Sequence, residues 1–158
     1  MTGRAFFGPP HHAPAAGGLQ VTVHLVPVLD GRLVAFDVTA AEARGRWLPW
    51  SVIDYAQNPY EAASILADDW CGVPLEDLAL ADVMSLPAPG DGWELALVFR
   101  AVLAAAPEGD TERRPHVYEA GDFDAFGAFD PVDLQRWVEG SPPARHDGAA
   151  PAGRGLIF

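Results

Sequence analysis

Residues 58–73, "NPYEAASILADDWCGV", set two neighbouring carboxylates, Asp68 and Asp69, near the apolar end of a helix-forming stretch. A carboxylate there can hold a divalent cation, accept a proton or pair with a base, and its surroundings decide which. At 100° per residue Ala62, Ile65, Leu66, Asp69, Trp70 and Val73 share one broad face, with Asp69 near its middle. Asp68 points away and reads as a solvated acid. An acid amid an apolar stripe must be hydrogen-bonded, ion-paired, metal-bound or protonated. Asp69 is therefore the candidate catalytic and metal-binding residue, with an Arg or backbone N–H partner as the structural alternative.

Other side chains of chemical interest surround this stretch. Trp47, Trp50, Tyr55 and Tyr60 cluster about the loop before it. They either pack the core or form a stacking wall for a flat ligand. Arg44 and Arg46 lie close by in sequence and either face a phosphate or balance the acids. Asp54, Glu61, Glu119, Asp122 and Asp124 are further carboxylates that serve a cation only if they converge on Asp69. From these the candidate ligand-binding set is Arg46, Trp50, Asp54, Tyr55 and Glu119.

The remaining signals are negative. No C-x-x-C, H-E-x-x-H, G-x-S-x-G, Walker A or G-x-G-x-x-G pattern occurs. All ten basic residues are Arg, so a Schiff base and a P-loop lysine are excluded. His24 and His116 read as structural, and His11 and His12 fall in a Pro/Gly-rich tail. Cys71 follows a helix C-terminus, whose dipole has the wrong sign to favour a thiolate, and is expected to be inert.

The elements that must position these groups are legible from patterning. Residues 1–18 read as a flexible tail, 19–139 as one folded domain and 140–158 as a Pro/Gly/Ala-rich tail whose final "LIF" could dock. "LQVTVHLVPVLDGRLVAFDV" gives two strands joined at Asp30-Gly31, a strong hairpin signal. Thr39 followed by Glu42 suggests one helical turn, and "SVIDYAQ" a loop. Asn58, Pro59 and Glu61 then open a helix that Gly72 and Pro74 end. "LALADVMSLP", "WELALVFRAVLAA" and "HVYEA" read as extended, and Asp130, Pro131 and Asp133 start a second helix.

With 158 residues the chain has the length of one domain, and 49% hydrophobic content supports a buried core. A net charge of −12 repels a phosphate backbone, so duplex nucleic acid is not an expected partner. The longest apolar run is broken by Arg100 and too short to span a bilayer. A single cysteine and no secretory signal point to the cytoplasm.

The order of hairpin, "LPW", "NPYEAASILADDWCGV", two strands and "AFDPVDL" over about residues 19–138 resembles the Nudix hydrolase family (MutT-like domains). The family's pattern G-x5-E-x7-R-E-U-x-E-E-x-G-U, with U apolar, anchors on Gly72, placing Ala67 and Val73 at apolar positions. The opening glycine then falls on Ser51, the first Glu on Gln57, the Arg on Ile65 and the next Glu on Leu66. The late Glu pair becomes Asp69 and Trp70. The resemblance implies an α/β/α sandwich with a mixed, largely antiparallel sheet, but a degenerate motif.

In the family those glutamates hold divalent cations that bridge a diphosphate; here one shortened carboxylate remains. Because both members of the first Glu/Arg pair are replaced, no buried ion is stranded. Three readings stay open. One is a domain binding a small nucleotide-type ligand or a protein partner without efficient hydrolysis. Another is a divergent hydrolase of nucleoside diphosphate-linked substrates, using Mg²⁺ or Mn²⁺ on Asp69 and acids outside the motif. The third is a structural homodimer.

Overall fold

The computed structural model describes residues 18–41, 44–54, 56–87, 92–119 and 129–141. The first hairpin forms as its sequence predicts. β1 (Leu19–Leu29) and β2 (Arg32–Val38) pair antiparallel across Asp30 and Gly31, whose φ angles of 50° and 75° suit a tight two-residue turn. Every residue of β1 from Thr22 to Leu29 is buried. A strand covered on both faces belongs in the middle of a sheet.

Among the described residues the sheet has seven strands, with β3 (Gly45–Trp47), β2, β1, β6 (Trp93–Leu103) and β5 (Leu75–Pro87) side by side. β4 (Trp50–Val52) pairs with β1, and β7 (Arg113–Tyr118) pairs with β2. Among the described strands only β1 and β6 run parallel, in register from Leu19 opposite Trp93 to Val28 opposite Val102. The route between them carries α1 (Pro59–Trp70), as a parallel pair requires a long crossover.

Alternation along β1 divides the core. Val23 and Leu25 face α1 with Phe99 and Ala101, whereas Val26 and Val28 face α2 (Pro131–Glu139) with Ala96 and Val98. Asn58 caps α1, its side chain accepting from the N–H groups of Tyr60 at 2.8 Å and Glu61 at 3.4 Å. Asp130 caps α2 through the Asp133 N–H at 2.9 Å, and Gly140 ends it in the left-handed conformation. Arg100 reaches the last turn, donating to the Val138 carbonyl at 3.0 and 3.2 Å. Arg136 joins α2 to β5 through Asp82 at 2.6 Å. The result is a helix on each face of a mixed, largely antiparallel sheet.

Three expectations need correction. "RGRW" and "WSV" contain strands β3 and β4, because β2 and β1 offer them open edges. Thr39 starts no helix; its N–H donates to the Glu112 carbonyl at 3.0 Å, while Glu42 lies outside the described residues. The buried stripe of α1 is Ala62, Ala63, Leu66 and Ala67, with Ile65 55% exposed. Small alanines let the helix approach the sheet closely, rotating the larger Ile65 outward and Asp69 to the margin. Among the described residues no helix is long and apolar enough to cross a membrane.

On the α2 side the sheet carries a buried polar cluster. Glu94 is fully buried, accepting from the Thr22 hydroxyl and lying 3.0 Å from Nε2 of His24, which is 4% exposed. A carboxylate withdrawn from water this far depends on those partners. Glu94→Ala removes the acid that Thr22 and His24 share and leaves a cavity beside them, and should lower unfolding free energy by about 3 kcal/mol in urea titration; a loss under about 1 kcal/mol would contradict this. At the end of α1, burial pushes the Cys71 thiol up to about 12, so it stays protonated at pH 8. Iodoacetamide at pH 8 should leave the native protein unlabelled while labelling the urea-unfolded chain fully, and complete labelling of native protein would refute that assignment.

Candidate functional site

A cavity of about 460 Å³ opens where the C-terminal half of α1 meets β3, β4 and the turn into β7. Trp47 and Trp50 form one side, their ring centroids 6.3 Å apart and the planes tilted by 34°. Asp69 and Trp70 come from α1, Asp54 from the loop after β4, and Arg113 from the start of β7. Its volume is that of a small-molecule site.

Each wall has a local cause. Pairing of β4 with β1 puts Trp50 opposite His24, and β3 puts Trp47 opposite Phe36. The loop after β4 is closed by reciprocal contacts: the Asp54 N–H donates to Oε1 of Gln57 at 3.2 Å, and the Gln57 N–H to the Asp54 carbonyl at 3.1 Å. Asp110 builds the third wall, its Oδ1 accepting from the N–H groups of Glu112 and Arg113, both at 2.8 Å. The Arg113 and Glu112 amides hold its carboxyl below the usual carboxylate range. Gly109 precedes it at φ +72°, and a Cβ there would sit 2.6 Å from the Arg113 carbonyl and overlap Pro115. This turn therefore requires glycine.

Arg113 dominates the electrostatics. Its Nη1 lies 3.0 Å from Oδ2 of Asp69 and donates at 3.4 Å to the Asp69 carbonyl. Its guanidinium carbon stands 4.2 Å from the centroid of the Trp70 ring. Asp69, with a side chain 61% exposed, is thus ion-paired at the helix margin rather than sunk in an apolar face. Carboxylate on one side and indole on another fix the guanidinium at the rim.

The candidate residues divide accordingly. Trp50, Asp54 and Asp69 line the cavity together. Arg46 is not among its described lining residues; neighbours on a strand point to opposite faces, so as Trp47 faces the cavity Arg46 reaches Asp37 at 3.1 Å and lies over Tyr118. Glu119 lies past the far end of β7, roughly 20 Å from Arg113 at about 3.3 Å per residue, pairing with Arg32 at 3.2 Å. Glu61 stands at the opening of α1, about 12 Å along its axis from Asp69. Tyr55, Asp122 and Asp124 lie outside the described residues.

Arg113 and Glu112 were missed because they lie in a polar run, "APEGDTERRP", with no local motif. Their relevance comes from the antiparallel register that sets Val38 opposite Arg113. Only a signal of long-range pairing could have found them.

A divalent cation fits this arrangement poorly. Leu66 and Trp70 offer no oxygen where the resemblance requires glutamates, and the Asp69 carboxylate is already engaged by a guanidinium. Among the described residues no three His, Cys, Asp or Glu side chains group closely enough to hold a metal ion. Mg²⁺ needs several oxygen ligands in near-octahedral array.

No protein-family model matches the sequence, and no curated protein matches it significantly. Solved structures do match. A Nudix hydrolase from Nitrosomonas europaea superposes with a TM-score of 0.60 at 18% identity, over 81% of this chain and 77% of that one. The MutT protein from Methanosarcina mazei Go1 gives 0.64 at 11% identity, over 79% and 96%. A MutT Nudix hydrolase from Burkholderia pseudomallei gives 0.61 at 19% identity, over 74% and 96%. Sequence identity this low speaks to architecture alone. The chain has the Nudix hydrolase fold.

Proposed function

We propose that this Nudix-fold domain binds a small flat ligand in the Trp47–Trp50 cavity without efficiently hydrolysing a diphosphate. The observation that carries this reading is the Asp69–Arg113 contact at 3.0 Å, which puts an organic cation against the one motif-aligned acid. To gather metal there, the site would have to give up that ion pair and still find ligands beyond Leu66 and Trp70. The aromatic side of the cavity supports stacking of a flat group such as a nucleobase.

Loss of a positioned base alone costs about 10² to 10⁴ in rate, before lost metals are counted. Fold does not restore that chemistry. One of the matching structures is described as an ADP compounds hydrolase, which makes adenine dinucleotides and ADP-sugars sensible test substrates.

With Mg²⁺ or Mn²⁺, a panel of nucleotide sugars, dinucleotides and nucleoside triphosphates should show no turnover that distinguishes wild type from Asp69→Asn. Metal-dependent turnover abolished by Asp69→Asn would sink the reading in favour of a divergent hydrolase. Arg113→Met should not create activity but should free Asp69. The thermal melting shift on adding Mn²⁺ should therefore be larger in Arg113→Met than in wild type, and equal shifts would show that the guanidinium does not keep cations away.

A further inference from the structure

Carboxylates outnumber cations around the cavity. Among the described residues Asp54, Asp69 and Glu112 border it, against Arg113 alone. Arg113 is committed to Asp69, so nothing else in the described lining offsets the charges of Asp54 and Glu112. Both acids are exposed, and the contacts they make run through backbone atoms: the Asp54 N–H to Gln57, and the Glu112 N–H to Asp110. A multiply charged phosphate entering here would meet two uncompensated carboxylates, on a chain whose net charge is −12.

Three indoles line the same space, those of Trp47, Trp50 and Trp70. Among aromatic side chains an indole face is the best partner for a cation, because its quadrupole presents negative charge. The wall itself contains one example. The Arg113 guanidinium lies 4.2 Å from the Trp70 centroid with the Asp69 carboxylate as counter-ion. The other lining residues Trp47, Trp50, Asp54 and Glu112 supply the same ingredients, aromatic surface together with acids.

We propose that the cavity binds a small flat organic cation bearing an amidinium or guanidinium group, with Trp47 and Trp50 as the aromatic contact and Asp54 and Glu112 as the counter-charges. This rests on the cavity being a non-hydrolytic binding site, and adds the sign of the ligand's charge. About 460 Å³ accommodates a single-ring cation with its first waters. Flat delocalised cations suit the site better than ammonium ions, being more weakly hydrated and able to stack.

The test compares benzamidinium with benzamide, which has nearly the same shape and no charge, by calorimetric titration of the full chain at pH 7. Benzamidinium is expected to bind at least about tenfold more tightly, and to weaken as salt is raised. Asp54→Asn combined with Glu112→Gln, both exposed near-isosteric changes, should reduce that preference to about threefold or less. Trp50→Leu should weaken both probes together.

Equal affinities for the two probes, or no binding of benzamidinium, would overturn the proposal. So would a preference that survives the double substitution. Metal-free ADP provides the separating arm: tight binding of ADP without turnover overturns the cationic ligand but leaves a non-hydrolytic binding domain standing. Hydrolysis of ADP on adding Mg²⁺ removes both.

Discussion

Strand β1 is sealed on both faces and hydrogen-bonded on both edges, and that constraint organises the molecule. Eight consecutive buried residues, Thr22 to Leu29, can be satisfied only if one helix covers each side and neighbouring strands take up the backbone N–H and C=O groups. The hairpin turn at Asp30 and Gly31 supplies β2, and the parallel partner β6 demands a crossover that must carry α1. Once α1 lies over Val23 and Leu25, its C-terminal end stands beside β2 and β7, and the cavity follows. The cavity is a product of where the helix must go.

Because the site is assembled from margins rather than from the core, its chemistry can change while the fold persists. Ala62, Ala63, Leu66 and Ala67 bind α1 to the sheet and tolerate little variation in volume. Asp69 and Trp70 sit on the flank and are free to take new partners. The Arg113–Asp69–Trp70 arrangement is one such partnership, holding a guanidinium between a carboxylate and an indole. Leu66 is 4% exposed and packs with Ala62, Ala63 and Phe99.

The same logic explains the polar groups that are not near the cavity. Thr22, His24 and Glu94 are buried on the α2 side, where they satisfy one another in place of water. Asp82 and Asp133 do so with Arg136, joining a helix to the edge strand β5. Much of the attraction in such contacts offsets desolvation, so their net stabilisation is small while loss of one partner is costly.

Local chemistry was enough to read several features from the chain itself. The Asp30-Gly31 turn, the Asn58-Pro59 and Asp130-Pro131 helix starts and the long strands depend on residues within a few positions of one another, so sequence determined them. Strands β3 and β4 were invisible because three residues carry too little periodicity; their existence depends on edges supplied by β2 and β1. Helical spacing puts Asp69 near the middle of an apolar face, whereas it stands at the helix margin, and its partner lies 44 positions away in Arg113. Only the tertiary structure could decide that pairing, because an ion pair between distant segments is set by sheet register and helix placement, neither of which leaves a trace in local spacing.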